Sequence, residues 1–129
     1  MKVLLDTHTL LWFVEDSPNL PMTTRDLIAN ETTQRVVSII SLWEIAIKHS
    51  LGRLALSLPL EEFIATHIPA DKVTLLPVTI SHILAFAKLP WHHKDPFDRI
   101  LVAQASNENI PIISIDKALD AYPVQRIWD

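Results

Sequence analysis

Short apolar strands alternate with helical segments along almost the whole sequence, and this alternation restricts the fold more than any other feature. Runs rich in leucine and β-branched residues predict strands over residues 3–5, 35–40, 73–76, 111–115 and 124–127. The intervening segments predict helices over residues 7–14, 25–30 and 59–67, and further helices after Ser41, Ser81, Asp95 and Asp116. Such alternation is typical of an α/β protein whose central, mostly parallel, twisted sheet is flanked by helices in three layers.

The length of the chain, 129 residues, is that of one ordinary domain, and no linker or internal repeat divides it. We therefore expect residues 1–129 to form a single domain. Cysteine is absent, which excludes disulfides, thiolate nucleophiles and cysteine-ligated zinc, and which fits a reducing cytoplasm. We expect a cytoplasmic protein without a membrane partner, because no segment matches a signal peptide or is long enough to cross a bilayer.

Glycine occurs only once, at Gly52, so the glycine-rich loops that cradle phosphates in nucleotide-binding folds cannot be built here. The formal net charge of -4 gives no general electrostatic attraction to nucleic acid, whose binding depends mainly on contacts to phosphate. Any nucleic-acid site on this chain must therefore be local or assisted by a metal.

Four acidic residues lie where predicted strands end or predicted helices begin: Asp6, Glu44, Asp98 and Asp116. In open parallel sheets, ligands bind beyond the carboxyl ends of the strands, so we expect these side chains to gather at one edge. Clustered carboxylates raise one another's pKa and lose solvation energy unless a cation lies among them. The cluster predicts a divalent metal that prefers oxygen ligands, such as Mg²⁺ or Mn²⁺.

Each of these residues also has an ordinary structural explanation. Asp6 and Asp116 could each cap the helix that follows, a role that contributes about 1 kcal/mol. Glu44 is the third residue after Ser41 and completes a predicted capping box, while Lys48 lies one helical turn further on and could pair with it. Only the joint position of the four favours a functional site, since independent caps need not converge on one sheet edge.

The segment Asp95-Pro96-Phe97-Asp98-Arg99 is the sharpest local signal in the sequence. Asp95 and Asp98 are three residues apart at a predicted helix N-terminus, whose dipole favours anions. One capping aspartate would suffice, so we assign Asp95 as the cap and Asp98 as the ligand. Among the cations near the acidic residues, we favour Arg99 for a phosphate contact and expect Lys48, Lys94 and Arg53 to face solvent.

The histidines and large aromatic residues give weaker signals. His92 and His93 are adjacent in a predicted loop without helical ligand spacing, and we interpret them as solvated residues near the site. The aromatic residues have mostly apolar neighbours, so we expect them to pack in the core or an interface rather than to stack bases: Trp12, Phe13, Trp43 and Trp91.

The order of these motifs along the chain resembles that of the PIN-domain ribonucleases, specifically the VapC-like toxins of bacterial toxin–antitoxin pairs. The matching segments are Leu5-Asp6-Thr7-His8, the run from Ser41 to Lys48, Asp95-Pro96-Phe97-Asp98-Arg99 and Ile113-Ser114-Ile115-Asp116. The resemblance spans essentially the whole chain and implies a PIN-like three-layer fold.

The resemblance also implies an activity, a set of ligands and partners. It implies that Asp6, Glu44, Asp98 and Asp116 hold one or two Mg²⁺ or Mn²⁺ ions, with supporting roles for Asp95, Arg99 and Thr7. The metal would activate a water that hydrolyses an RNA phosphodiester, leaving 5′-phosphate and 3′-hydroxyl ends. The implied partners are a second copy of the chain and a cognate antitoxin laid across the active edge.

Two other classes of protein fit parts of the pattern. A phosphotransfer enzyme with Asp6 as nucleophile would need a second aspartate two residues on, where this chain has His8. A non-catalytic binding module for nucleic acid or peptide would use the carboxylates only as caps and would not bind Mn²⁺ at this edge. The preference for RNA over DNA rests on the resemblance alone, because a water nucleophile does not require the 2′-hydroxyl.

Overall fold

The computed structural model describes residues 1–129 and contains a five-stranded sheet in the order β3-β2-β1-β4-β5, in which every neighbouring pair is parallel. The strands are β1 (Lys2–Leu5), β2 (Gln34–Ser38), β3 (Val73–Leu76), β4 (Ile112–Ile113) and β5 (Arg126–Ile127). The helices are α1 (Thr7–Val14), α2 (Met22–Ala29), α3 (Ile39–Ser50), α4 (Leu60–His67), α5 (Ile80–Lys88) and α6 (Pro96–Glu108). A 3₁₀ helix follows β4 at Lys117–Ala121.

Apolar side chains leave the sheet in two directions, because successive residues of a strand point to opposite faces. Val3 and Leu5 of β1 belong to one core cluster with apolar residues of α1, α2, α3 and α4. Leu4, between them, belongs to a second cluster with Leu101, Val102 and Ala105 of α6. Helices therefore cover both faces of the sheet, which confirms the predicted three-layer α/β fold.

The junction between β2 and α3 differs from the prediction. The β-branched run was expected to remain a strand through Ile40, with Ser41 capping the helix, but β2 ends at Ser38 and α3 begins at Ile39. Ser38 is the N-cap, and its hydroxyl oxygen accepts from the backbone N–H of Ile40 at 3.1 Å. The predicted capping box of Ser41 and Glu44 is therefore wrong, and Glu44 lies in the interior of the helix.

The N-termini of two other helices also differ from the sequence predictions. Helix α2 begins at Met22 after Pro21, earlier than the expected start at Arg25. The hydroxyl of Thr24, inside this helix, donates to the carbonyl of Trp128. Helix α5 is capped by Thr79 rather than by Ser81, because Thr79 and His82 form a reciprocal capping box. None of the helices combines the length and apolar character needed to cross a membrane.

Candidate metal centre

Two of the predicted carboxylates follow neighbouring strands at the same edge of the sheet. Asp6 comes directly after β1, and Asp116 lies three residues after the end of β4, the strand that pairs with β1. Each caps the helix that follows: Asp6 Oδ1 accepts from the N–H of Thr9 at 2.9 Å, and Asp116 Oδ1 from that of Ala118 at 3.0 Å. Both predicted caps are therefore present, and in each the capping hydrogen bond uses Oδ1.

Glu44 is buried on α3, where no helix cap explains it. Thr7 Oγ1 lies 2.7 Å from Glu44 Oε1 and 3.1 Å from Ser41 Oγ. Because a hydroxyl has one proton, Thr7 donates to the carboxylate and accepts from Ser41. Lys48 forms an ion pair with Glu44 Oε2, as the four-residue spacing predicted. Thr7 and Lys48 thus hold the buried carboxylate of Glu44 in one orientation. Apolar packing does not explain a carboxylate at this position.

Asp98 lies in the first turn of α6, beside the cap formed by Asp95. Asp95 Oδ1 accepts from the N–H of Phe97 at 2.8 Å and from that of Asp98 at 3.5 Å, which confirms Asp95 as the N-cap. The pKa of Asp98 is raised to about 7, first by burial and then by the negative charges of Asp95, Asp6 and Glu44. The charges of Asp6 and Glu44 therefore act on Asp98, but their ligand atoms do not belong to the group within 4.8 Å that includes Asp98 and Asp116.

The pKa of Asp6 is also raised, and burial is the main cause. Hydrogen bonds from Ser114 and Thr9 and the charge of His8 oppose this shift without cancelling it. Burial therefore raises the pKa of two carboxyl groups of the cluster, and a cation bound beside them would lower it again.

His93 belongs to the cluster, contrary to our interpretation of it as a solvated loop residue. Its Nε2 lies 2.7 Å from Asp116 Oδ2 and 3.3 Å from Asp98 Oδ2. Ligand atoms of these three side chains lie within 4.8 Å of one another. Periodicity could not reveal this contact, but His93 stands two residues before the capping Asp95, at the helix end that carries Asp98.

Arg99 does not occupy the phosphate-binding position that we predicted for it. Its side chain is 1% exposed, and Nη1 donates to the carbonyl of Pro90 at 2.8 Å and to Tyr122 Oη at 3.2 Å. The guanidinium lies over the rings of Trp91 and Phe86, at 3.6 Å and 4.8 Å from their centroids. A side chain enclosed in this way is not available to a phosphate on the surface.

The predicted solvent-facing cations have different surroundings. Arg53 is exposed, as predicted, whereas Lys48 is half-buried against Glu44. Both line a pocket of about 310 Å³ that also includes Thr7, His8 and Trp12. Since Thr7 contacts Glu44, this pocket opens directly beside the acidic cluster.

The donor set fits a hard divalent cation. Carboxylate oxygens are the ligands that Mg²⁺ and Mn²⁺ prefer, and the cluster offers no thiolate or thioether. Asp6 is almost fully buried and Asp98 is partly buried, and neither forms an ion pair with a lysine or arginine, so their negative charge favours a bound cation or protons. The residues present therefore match the requirements of a magnesium or manganese site.

The sequence matches the PIN-domain family over residues 3–125, so this chain belongs to that family. This membership confirms the family resemblance that the sequence motifs carried. A comparison with curated proteins gave no match.

Several solved structures share this fold. A chain of VapBC2 from Rickettsia felis bound to promoter DNA aligns with a TM-score of 0.75 at 13% identity, covering 100% of both chains. DNA-bound VapBC from Salmonella typhimurium aligns with a TM-score of 0.73 at 15% identity, covering 98% of this chain and 97% of that one. A chain of a toxin–antitoxin complex from Klebsiella pneumoniae aligns with a TM-score of 0.63 at 16% identity, covering 94% of this chain and 92% of that one. At these identities the likeness establishes a shared fold.

Proposed function

We propose that this protein is a metal-dependent endoribonuclease, the toxin of a toxin–antitoxin pair. The observation that carries the proposal is that Asp98 and Asp116 come together at the carboxyl edge of a PIN-domain sheet, where Asp6 follows the neighbouring strand β1. The buried Glu44 has no capping role, and the pKa of Asp98 is raised to about 7. Carboxyl groups with strongly raised pKa values are typical of sites that bind a cation or perform chemistry.

The four carboxylates would hold one or two Mg²⁺ or Mn²⁺ ions. When bound, the metal supplies an activated water and neutralises charge on the phosphodiester that the water attacks. The chain itself supplies the orientation: Thr7 fixes one oxygen of Glu44, and Lys48 compensates charge on the other. Asp95 holds the first turn of α6, which carries Asp98.

The pocket beside Thr7 supports an RNA substrate that passes next to the carboxylates. Lys48 and Arg53 provide positive charge there for phosphate, and the ring of Trp12 lies on the pocket wall. Such a local site is what a chain with a net charge of -4 requires to bind nucleic acid.

The test is the cleavage of a mixed structured RNA by purified, antitoxin-free protein with Mn²⁺ and with EDTA. We expect metal-dependent cleavage that Asp98→Asn abolishes, with 5′-phosphate ends on the products. Asp71→Asn is the matched control, because Asp71 is an exposed aspartate that precedes β3 at the opposite edge of the sheet. Cleavage that persists in EDTA or in Asp98→Asn would refute the proposal, and a parallel assay on single-stranded DNA tests the preference for RNA.

We also propose that the chain works as a homodimer and that an antitoxin covers its active edge. The proposal of an antitoxin partner is supported by the fold that this chain shares with a chain of the Klebsiella pneumoniae toxin–antitoxin complex. The homodimer is supported by an apolar groove of about 390 Å³, lined in part by Trp43, Ile83 and Phe97. We further propose that residues 1–129 act as one PIN domain in the cytoplasm, which the absence of cysteine suits.

A further inference from the structure

We propose that His93 is a positioning residue of this centre, which holds Asp116 and Asp98 in place by donating a hydrogen bond from Nε2 without ligating the metal. The inference rests on the proposed metal-dependent function and adds a residue that the acidic quartet does not include. It is carried by the contacts of both imidazole nitrogens and of the His93 backbone.

The backbone of Asp95 fixes the tautomer of His93. The N–H of Asp95 points to His93 Nδ1 at 3.1 Å, and a peptide N–H can only donate. Nδ1 therefore accepts and carries no proton, so the proton of the neutral ring lies on Nε2. That nitrogen faces Asp116 Oδ2 at 2.7 Å, with Asp98 Oδ2 at 3.3 Å as a second acceptor.

This arrangement gives His93 a role that differs from that of a ligand. A protonated Nε2 has no lone pair to offer a metal, whereas its positive edge reduces the repulsion between two neighbouring carboxylates. Each carboxylate oxygen has two lone pairs, so Asp116 and Asp98 can receive this hydrogen bond and still ligate a cation. Hydrogen bonds of this kind orient ligands and raise the affinity of metal sites.

A buried clamp holds His93 in reach of the two aspartates. The N–H of His93 donates to Tyr122 Oη at 2.9 Å, and the same oxygen accepts from Arg99 Nη1. Arg99 also donates to the carbonyls of Leu89 and Pro90, so that one enclosed guanidinium fixes the start of the loop that carries His93. These contacts explain why Arg99 is buried beside the site instead of facing a substrate.

The first experiment measures the Mn²⁺ affinity of the full chain and of variants by titration calorimetry. His93→Phe keeps the ring volume but removes the donor, and we expect Mn²⁺ affinity to fall by about 10- to 100-fold. His93→Gln places an amide donor near the position of Nε2 and should recover most of the affinity. His67→Phe is the control and should leave Mn²⁺ affinity unchanged, because His67 packs against Phe63 and lines a pocket with Lys72 and Val73 at the start of β3. Thermal unfolding of each variant verifies that it is folded.

The second experiment observes the imidazole nitrogens by ¹⁵N NMR without metal and with Mg²⁺. We expect Nε2 of His93 to remain protonated in both states. Loss of that proton on addition of Mg²⁺ would show direct ligation and overturn the inference, as would unchanged Mn²⁺ affinity in His93→Phe. A wild-type protein that binds no Mn²⁺ would instead refute the proposed metal-dependent function, and with it the role of His93.

Discussion

Asp98 shows at the scale of one residue how a carboxylate can be costly to the fold and useful for binding. Burial and three neighbouring negative charges raise its pKa from 3.8 to about 7. The folded protein therefore binds more protons than the unfolded chain between these two pH values, and without metal its stability falls as pH rises through that window. A divalent cation replaces the proton and removes this penalty.

The same pKa predicts how metal affinity depends on pH. A metal must displace the proton of Asp98 below about pH 7, so the Mn²⁺ affinity should rise by up to roughly tenfold per pH unit there and level off above it. Calorimetric titrations between about pH 5 and pH 8 measure this profile. Asp98→Asn should bind Mn²⁺ more weakly and with a shallower dependence, since Asp6 remains the other carboxyl with a raised pKa. A flat profile for the wild-type protein would contradict the prediction.

At the scale of elements, the sequence predicted the alternation of strands and helices and failed mainly at their junctions. Ile39 and Ile40 are β-branched and favour a strand, yet they form the first turn of α3 because Ser38 caps the helix. The hydroxyl of Ser38 is also fixed by Gln104 of α6 at 2.6 Å, a long-range contact that no local pattern records. Tertiary contacts therefore decided a boundary that propensity had placed three residues later.

Local sequence patterns predicted the capping aspartates and the pairing of Glu44 with Lys48, but not the surroundings of His93 and Arg99. Asp6, Asp95 and Asp116 follow apolar runs or precede helices, so local rules identify them. The surroundings of His93 and Arg99 could not be predicted, because both contact residues distant in the sequence. His93 contacts Tyr122 and Asp116, and Arg99 contacts Tyr122 and the carbonyl of Pro90. Sequence spacing does not encode these contacts between distant segments.

The N-terminus of α6 gives a test that separates capping from catalysis at Asp95. Asp95 Oδ1 is occupied by two backbone N–H groups, so we expect Asp95 to act as a cap. Asp95→Asn should retain the cap and the nuclease activity, and should lower the pKa of Asp98 because a neighbouring negative charge is lost. Asp95→Ala should destabilise the protein by about 1 kcal/mol in urea unfolding. Loss of cleavage in a well-folded Asp95→Asn variant would instead make Asp95 part of the metal site.

At the scale of the whole molecule, one face is apolar enough to indicate an interface. The groove between α3, α5 and α6 contains Trp43 and Phe97, which precede Glu44 and Asp98 in the sequence and whose rings lie 5.5 Å apart. Beside it, Ile80 and Leu84 of α5 are 76% and 57% exposed. We therefore expect a second copy, related by twofold symmetry, to cover this face.

The homodimer can be tested by placing a charge in the groove without touching the carboxylates. Ile83, at 54% exposure, lines the groove, and Ile83→Lys should dissociate the dimer because each interface would bury two unpaired ammonium groups. Leu51→Lys is the matched control: Leu51 is 61% exposed and follows the C-terminus of α3, where a positive charge is tolerated. Sedimentation equilibrium should give a dimer for the wild-type protein and for Leu51→Lys but a monomer for Ile83→Lys. A monomeric wild-type protein, or an Ile83→Lys variant that remains dimeric, would show that a second copy does not cover this face.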